Sequence, residues 1–154
     1  MSDVNQQTTG APAPSPTHQF TVLLSATRRG ARLARLLLRE QLRSWERPYE
    51  AAEHIVAELA NNAVLHGHVP GRSFRLALTL TGTDTLRIEV TDARTDRHPP
   101  SAAQRPLLEA ESGRGLLLVE ALSDRWGTTY GPAPCKTVWA ELACPQPVSR
   151  RAAW

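Results

Sequence analysis

The sequence predicts an α+β fold: a two-layer α/β sandwich with a mixed, mostly antiparallel sheet and helices on one face. Three observations predict it. Short runs in which apolar and polar residues alternate mark half-buried strands. Two stretches of helical period lie between the first and second of these runs. The resulting order, β-α-α-β-β-loop-α-β-β, is not the βαβ alternation of a doubly wound parallel sheet. A chain of 154 residues can bury one proper core and is expected to form one domain.

Residues 1–17 are polar and rich in Pro, Ala and Thr, and are expected to be a disordered tail. The domain is expected over 18–144. Phe20, Val22 and Leu24 alternate as a first strand. From 27 to about 45 the period becomes helical, with Leu33, Leu37 and the Leu36/Leu38 pair expected inward and Arg28, Arg32, Arg35 and Arg39 outward. Pro48 opens a second helix, where a missing N–H does no harm. Its positions Ala52, Ile55, Val56, Leu59, Ala60 and Ala63 follow the i, i+3, i+4, i+7 template. Gly67, with Pro70 beyond, ends it.

Phe74, Leu76, Leu78 and Leu80, then Leu86, Ile88 and Val90, form a hairpin with one buried face around the turn at 81–84. An irregular stretch follows over 93–112, containing Pro99, Pro100 and Pro106; loops of that length inside a domain are usually lids or disordered. Gly113-Arg114-Gly115 leads into an apolar helix at 116–122. Strands near 125–130 and 137–143 complete the domain, and 145–154 is expected to be a frayed tail. Gly113-x-Gly115 is no dinucleotide fingerprint, because no βαβ unit contains it.

Composition narrows the function classes. The mean hydropathy is −0.35 and no apolar run approaches the roughly 20 residues that span a bilayer. The N-terminal residues lack the basic and apolar regions of a secretory signal, so the expected location is the cytoplasm. Cys135 and Cys144 have neither zinc nor disulfide-framework spacing and read as reduced thiols. The net charge of +3 comes almost wholly from arginine, Lys136 being the only lysine. Such usage suggests a GC-rich bacterial coding genome. With no concentrated basic stripe, the balance fits an acidic partner or a phosphorylated ligand as well as nucleic acid, and no direct nucleic-acid role is expected.

Three short elements carry candidate chemistry. Glu58 and Asn62 stand four residues apart inside the second helix, which stacks them on one face a turn apart. An amide oxygen suits a hard cation and a carboxylate can accept a proton, although the pair reads equally well as a solvated helix face. Asp92 follows the strand at 86–90; alone it is an ordinary strand-end aspartate. Glu111-Ser112-Gly113-Arg114-Gly115-Leu116 is a flexible loop opening a helix, where backbone N–H groups can approach an anion. His66, one turn beyond Asn62, has no second ligand at metal spacing and reads as a helix-end residue.

Taken in order, these elements resemble the GHKL, or Bergerat-fold, ATP-binding superfamily of gyrase, histidine kinases and mismatch-repair ATPases. Within it the chain resembles the bacterial anti-sigma-factor serine/threonine kinases. Glu58-Leu59-Ala60-Asn61-Asn62-Ala63-Val64-Leu65-His66-Gly67 is similar to the family's N box. Asp92 falls where the first glycine box begins, Gly113-Arg114-Gly115-Leu116 resembles the second, and Lys136-Thr137-Val138-Trp139 resembles the closing strand with a threonine near the adenine. The resemblance runs from about Phe20 to Leu142.

The resemblance implies ATP and Mg²⁺ as cofactors, with Asn62 coordinating the metal. It implies that Asp92 accepts from the adenine amino group, that Thr137 supports this contact, and that Gly113, Arg114, Gly115 and Leu116 cradle the phosphates. Glu58 would be the general base toward a serine or threonine hydroxyl of an anti-anti-sigma antagonist. A sigma factor and that antagonist are the implied partners, in transcriptional control by partner switching, and homodimers occur often in the family. One departure stands out: the family continues Asp-x-Gly-x-Gly, whereas this chain reads Asp92-Ala93-Arg94-Thr95-Asp96. Arg94 cannot adopt the glycine conformations cheaply. It either weakens nucleotide binding or adds a phosphate or adenine contact of its own. The departure keeps open an inactive interaction module that regulates a partner without phosphoryl transfer.

Overall fold

The computed structural model describes residues 16–65, 72–93, 116–131 and 135–148. Along the chain run β1 (Pro16–Ser25), α1 (Arg28–Ser44), α2 (Glu50–Leu65), β2 (Ser73–Thr81), β3 (Thr85–Ala93), β4 (Arg125–Tyr130) and β5 (Cys135–Ala143). A helical segment at 116–122 precedes β4. The five strands form one sheet in the order β1-β2-β3-β5-β4. Each adjacent pair is antiparallel, so the described sheet is antiparallel rather than mixed. Among the described residues no helix is long and apolar enough to cross a membrane.

The period-two pattern decides which sheet face is covered. Phe74, Leu76, Leu78 and Leu80 of β2 are buried, as are Leu86, Ile88 and Val90 of β3 and Val138, Ala140 and Leu142 of β5. Both helices pack on this face, α1 against β1 and α2 against β3 and β5. The opposite face is polar: the Arg87 guanidinium lies 4.3 Å over the Trp139 ring and donates to Glu89 and Glu141. Strand β1 starts at Pro16, inside the stretch expected as tail, and the Thr17 hydroxyl donates to the Leu80 carbonyl at 3.1 Å.

Helix α1 corrects the sequence reading of its own face. Gly30, Ala31, Ala34, Leu38 and Leu42 are buried, while Leu33 and Leu36 are 40% and 46% exposed and Leu37 is only partly buried. Small residues win the inward positions because the helix starts against the end of β1. A Cβ on Gly30 would stand 1.7 Å from the Ser25 carbonyl oxygen, closer than any atom can approach. Thr27 caps the helix, its hydroxyl accepting from the Gly30 N–H at 3.1 Å. Helix α2 follows the expected template, with Ala52, Ile55, Val56, Leu59, Ala60 and Ala63 buried, and adds Asn62 to that face.

Arg47, in the link between the helices, donates to Asp84 at 2.6 Å and to the Cys144 carbonyl at 2.9 Å. It thereby ties the helix layer to the β2–β3 turn and to the chain leaving β5, at the sheet end opposite Asp92.

Candidate functional site

Asn62 lies one residue before Ala63 and three after Leu59, so the helical period carries its amide toward the sheet. It is 8% exposed. A carboxamide in that position is costly unless polar groups meet it. The strands supply them. Asp92 continues the buried phase of Leu86, Ile88 and Val90 and is 5% exposed. Lys136 continues the buried phase of Val138, Ala140 and Leu142, and its Cα is in register with that of Asp92 across the β3–β5 ladder.

The result is a small recess between α2 and the ends of β3 and β5, lined by Leu59, Asn62, Ala63, Val90, Asp92, Lys136 and Val138. Its walls are apolar, with the Asn62 amide and the Asp92 carboxylate among them, while Lys136 lines it and carries its ammonium 5.8 Å from the centre of the Tyr130 ring. Behind Asp92, on the β2 side, Arg72 is also buried, its Nη2 3.6 Å from Asp92 Oδ1. A buried carboxylate beside a buried guanidinium can stay charged, which either group alone could do only at a large cost.

The structure therefore brings together two of the expected site residues, Asn62 and Asp92. Glu58 sits a turn before Asn62 on α2, half-buried, and is not part of the recess wall. Leu116, at the start of the described helical segment, packs partly buried against the core. Thr137 is a correction. It points to the uncovered face of the sheet, where its hydroxyl is 2.8 Å from that of Thr91, so it does not join Asp92. Adjacent strand residues point to opposite faces, and Thr137 is one step out of phase with Val138. Arg94, Gly113, Arg114 and Gly115 lie outside the described residues, as do His66 and Gly67.

Sequence reasoning missed Arg72 and Lys136, although the same alternation marks both. Counting back by two from Phe74 reaches Arg72, and from Val138 reaches Lys136. A metal ion would find little protein ligation here. Among the described residues no group of three or more His, Cys, Asp or Glu could hold one. An ion at Asn62 would draw one neutral oxygen from the protein and the rest from phosphate and water, a donor set that fits Mg²⁺.

Comparisons with known proteins agree with this architecture. The family model for the histidine kinase-like ATPase domain matches residues 24–141, from the end of β1 into β5. Among solved structures, the crystal structure of the RsbU and RsbW domains of Rv1364c from Mycobacterium tuberculosis matches with a TM-score of 0.63 and 25% identity. The match covers 86% of this chain and 34% of that one, so this chain spans about a third of that protein's length. No curated protein sequence matches it.

Proposed function

The chain belongs to the histidine kinase-like ATPase domain family, and from that membership we propose that it is an ATP- and Mg²⁺-binding anti-sigma regulatory factor. It phosphorylates a serine or threonine of an anti-anti-sigma antagonist and acts by partner switching in the cytoplasm. The observation that carries this reading is the recess itself, where an amide from α2 and a carboxylate from β3 converge between apolar walls.

In that reading Asp92 accepts from the adenine amino group, while Val90, Val138 and Leu59 exclude water from the base. Asn62 would hold Mg²⁺, which would offset phosphate charge. Glu58, outside the recess wall, takes the proton from the attacking hydroxyl as its oxygen bonds to the γ-phosphorus in line, while the β,γ-bridging O–P bond breaks and ADP leaves. Its half-buried position on the shoulder of α2 leaves it within reach of a partner. The test is incubation of the full chain with labelled ATP, Mg²⁺ and a candidate antagonist, comparing wild type with Glu58→Ala. Transfer by wild type and its loss in the variant is the expected result. No transfer by wild type, despite measurable ATP binding, would sink the kinase reading.

A specific observation favours a second reading, an inactive nucleotide-binding interaction module that regulates its partner without phosphoryl transfer. Arg94 and Asp96 stand where the family's glycine box has its two glycines, and Ala93, the residue before them, is still in β3 and in register with Cys135. The same incubation separates the two readings.

A further inference from the structure

We infer that Arg72 is a positioning residue that sets the Asp92 carboxylate for recognition of a six-amino purine. The inference rests on the reading of the recess as the adenine site, and it assigns a role to a side chain that does not line that recess.

The argument begins with phase. Arg72 precedes β2 in step with Phe74, Leu76 and Leu78, so the pleat sends it under the helix layer instead of into solvent. Its side chain is 3% exposed and that of Asp92 is 7% exposed, with 3.6 Å between Nη2 and Oδ1. That separation is an ion pair longer than a hydrogen bond. Two charges this deep are retained only at a cost that their attraction has to offset, so a purely structural role would be filled as well by two apolar side chains.

The geometry also shows where the guanidinium comes from. Sheet order places Arg72 on the β2 side of Asp92 and Lys136 on the β5 side. The Arg72 backbone is fixed, because its carbonyl accepts from the Ala26 N–H at 2.9 Å and the next residue, Ser73, is in register with Ser25. At 3.6 Å the guanidinium acts on the carboxylate through charge rather than a hydrogen bond, drawing Oδ1 toward the β2 side, which the shorter stem of a lysine would do less strongly. A carboxylate so drawn leaves its other oxygen for the recess. An amino group on the bound base can use that oxygen, and a base without the amino group gains nothing from it.

The test compares affinities of the full chain for ATP and for purine riboside triphosphate, which lacks the six-amino group, by calorimetry with Mg²⁺. Wild type is expected to prefer ATP by about tenfold or more, the worth of a hydrogen bond to a charged acceptor. Arg72→Met is expected to bring that ratio close to one, and Arg72→Lys to leave it intermediate. In an Asp92→Asn background, Arg72→Met should change the ratio no further, since the residue acts through the carboxylate. If Arg72→Met binds both nucleotides more weakly with the ratio of wild type, its role is structural and the inference is overturned. A further fall of the ratio in the Asp92→Asn background overturns it as well. Should Arg72→Met not fold, Arg72→Lys decides: an intermediate ratio supports the inference and a wild-type ratio refutes it. Asp92→Asn that binds ATP with wild-type affinity and ratio removes the adenine reading itself, and the Arg72 role falls with it. A lowered ratio in Asp92→Asn beside an unchanged one in both Arg72 variants removes the Arg72 role alone.

Discussion

The Thr91 and Thr137 hydroxyls are 2.8 Å apart on the uncovered face of the sheet, while Asp92 and Lys136, the neighbours of each in sequence, are in register on the covered face. The two ladders are one residue apart and serve opposite sides. Thr137→Val should therefore leave ATP affinity within about twofold of wild type, because it removes a hydrogen bond worth about 1 kcal/mol to stability and none to the recess. Lys136→Met should change ATP affinity severalfold. Calorimetric titration of both variants checks this, and a large loss in Thr137→Val with none in Lys136→Met would reverse the assignment.

Asn62 gives a second expectation, in the metal dependence. If its amide oxygen is the protein's contribution to Mg²⁺, Asn62→Ala should lower ATP affinity by about tenfold in Mg²⁺ and much less in EDTA. Circular dichroism should show an intact fold, since Asn62 lies at the edge of the buried face. Equal losses with and without Mg²⁺ would mean that the amide supports the recess directly.

How far the sequence could be read depended on whether large apolar residues alone marked the buried face. In β2 and β3 they did, and alternation marks both strands and their inward residues, with Asp92 next in phase after Val90. In α1 they did not. Beside Leu38 and Leu42, the buried positions there are Gly30, Ala31 and Ala34, which a search for hydrophobic bulk passes over in favour of Leu33 and Leu36. The approach that demands small residues is set by the Ser25 carbonyl, a tertiary contact with no local signal. Arg72 and Lys136 were hidden for the converse reason: charged residues are expected outside, and only their phase contradicted it. Thr137 was misplaced because a motif match fixes residue type more firmly than a period of two fixes direction.

The uncovered face carries a pH-dependent cluster. Glu141 accepts from Arg125 at 2.6 Å and from Arg87 at 2.7 Å. Partial burial pushes its carboxyl up, but the two arginines outweigh burial and hold it below the ordinary value of 4.5. A depressed carboxyl contributes stability above its unfolded value and loses it as pH falls through the folded one. Glu141→Gln should therefore lower the melting temperature at pH 7, and the difference from wild type should shrink below about pH 4. A gap that stays constant from pH 7 to pH 3 would show that the carboxylate charge contributes nothing.

Gly30 is where a single methyl group has the largest expected consequence. Its added Cβ would meet backbone, the Ser25 carbonyl 1.7 Å away, so no side chain can rotate aside to admit it. Gly30→Ala gains helix propensity of about 1 kcal/mol, yet the overpacking should cost about 3 kcal/mol or more as α1 is pushed off β1. Urea denaturation should show a net loss of at least about 2 kcal/mol with unchanged m. A neutral or stabilising result would mean that the β1–α1 junction yields freely.

The two thiols should separate cleanly. Cys144 is buried, with its Sγ 3.6 Å from the Pro48 carbonyl, and burial raises its pKa from 9.0 to about 11. Only about one part in a thousand is then thiolate at pH 8, and the thiolate is the species that reacts. Cys135, at the start of β5, is partly exposed. A maleimide reagent at pH 8 should modify Cys135 within minutes and leave Cys144 intact until urea unfolds the chain. The folded state also binds the Cys144 proton more tightly than the unfolded state, so this thiol makes stability fall as pH rises above about 9. Cys144→Ala should lessen that fall, and rapid labelling of Cys144 in the native protein would contradict its place in the core.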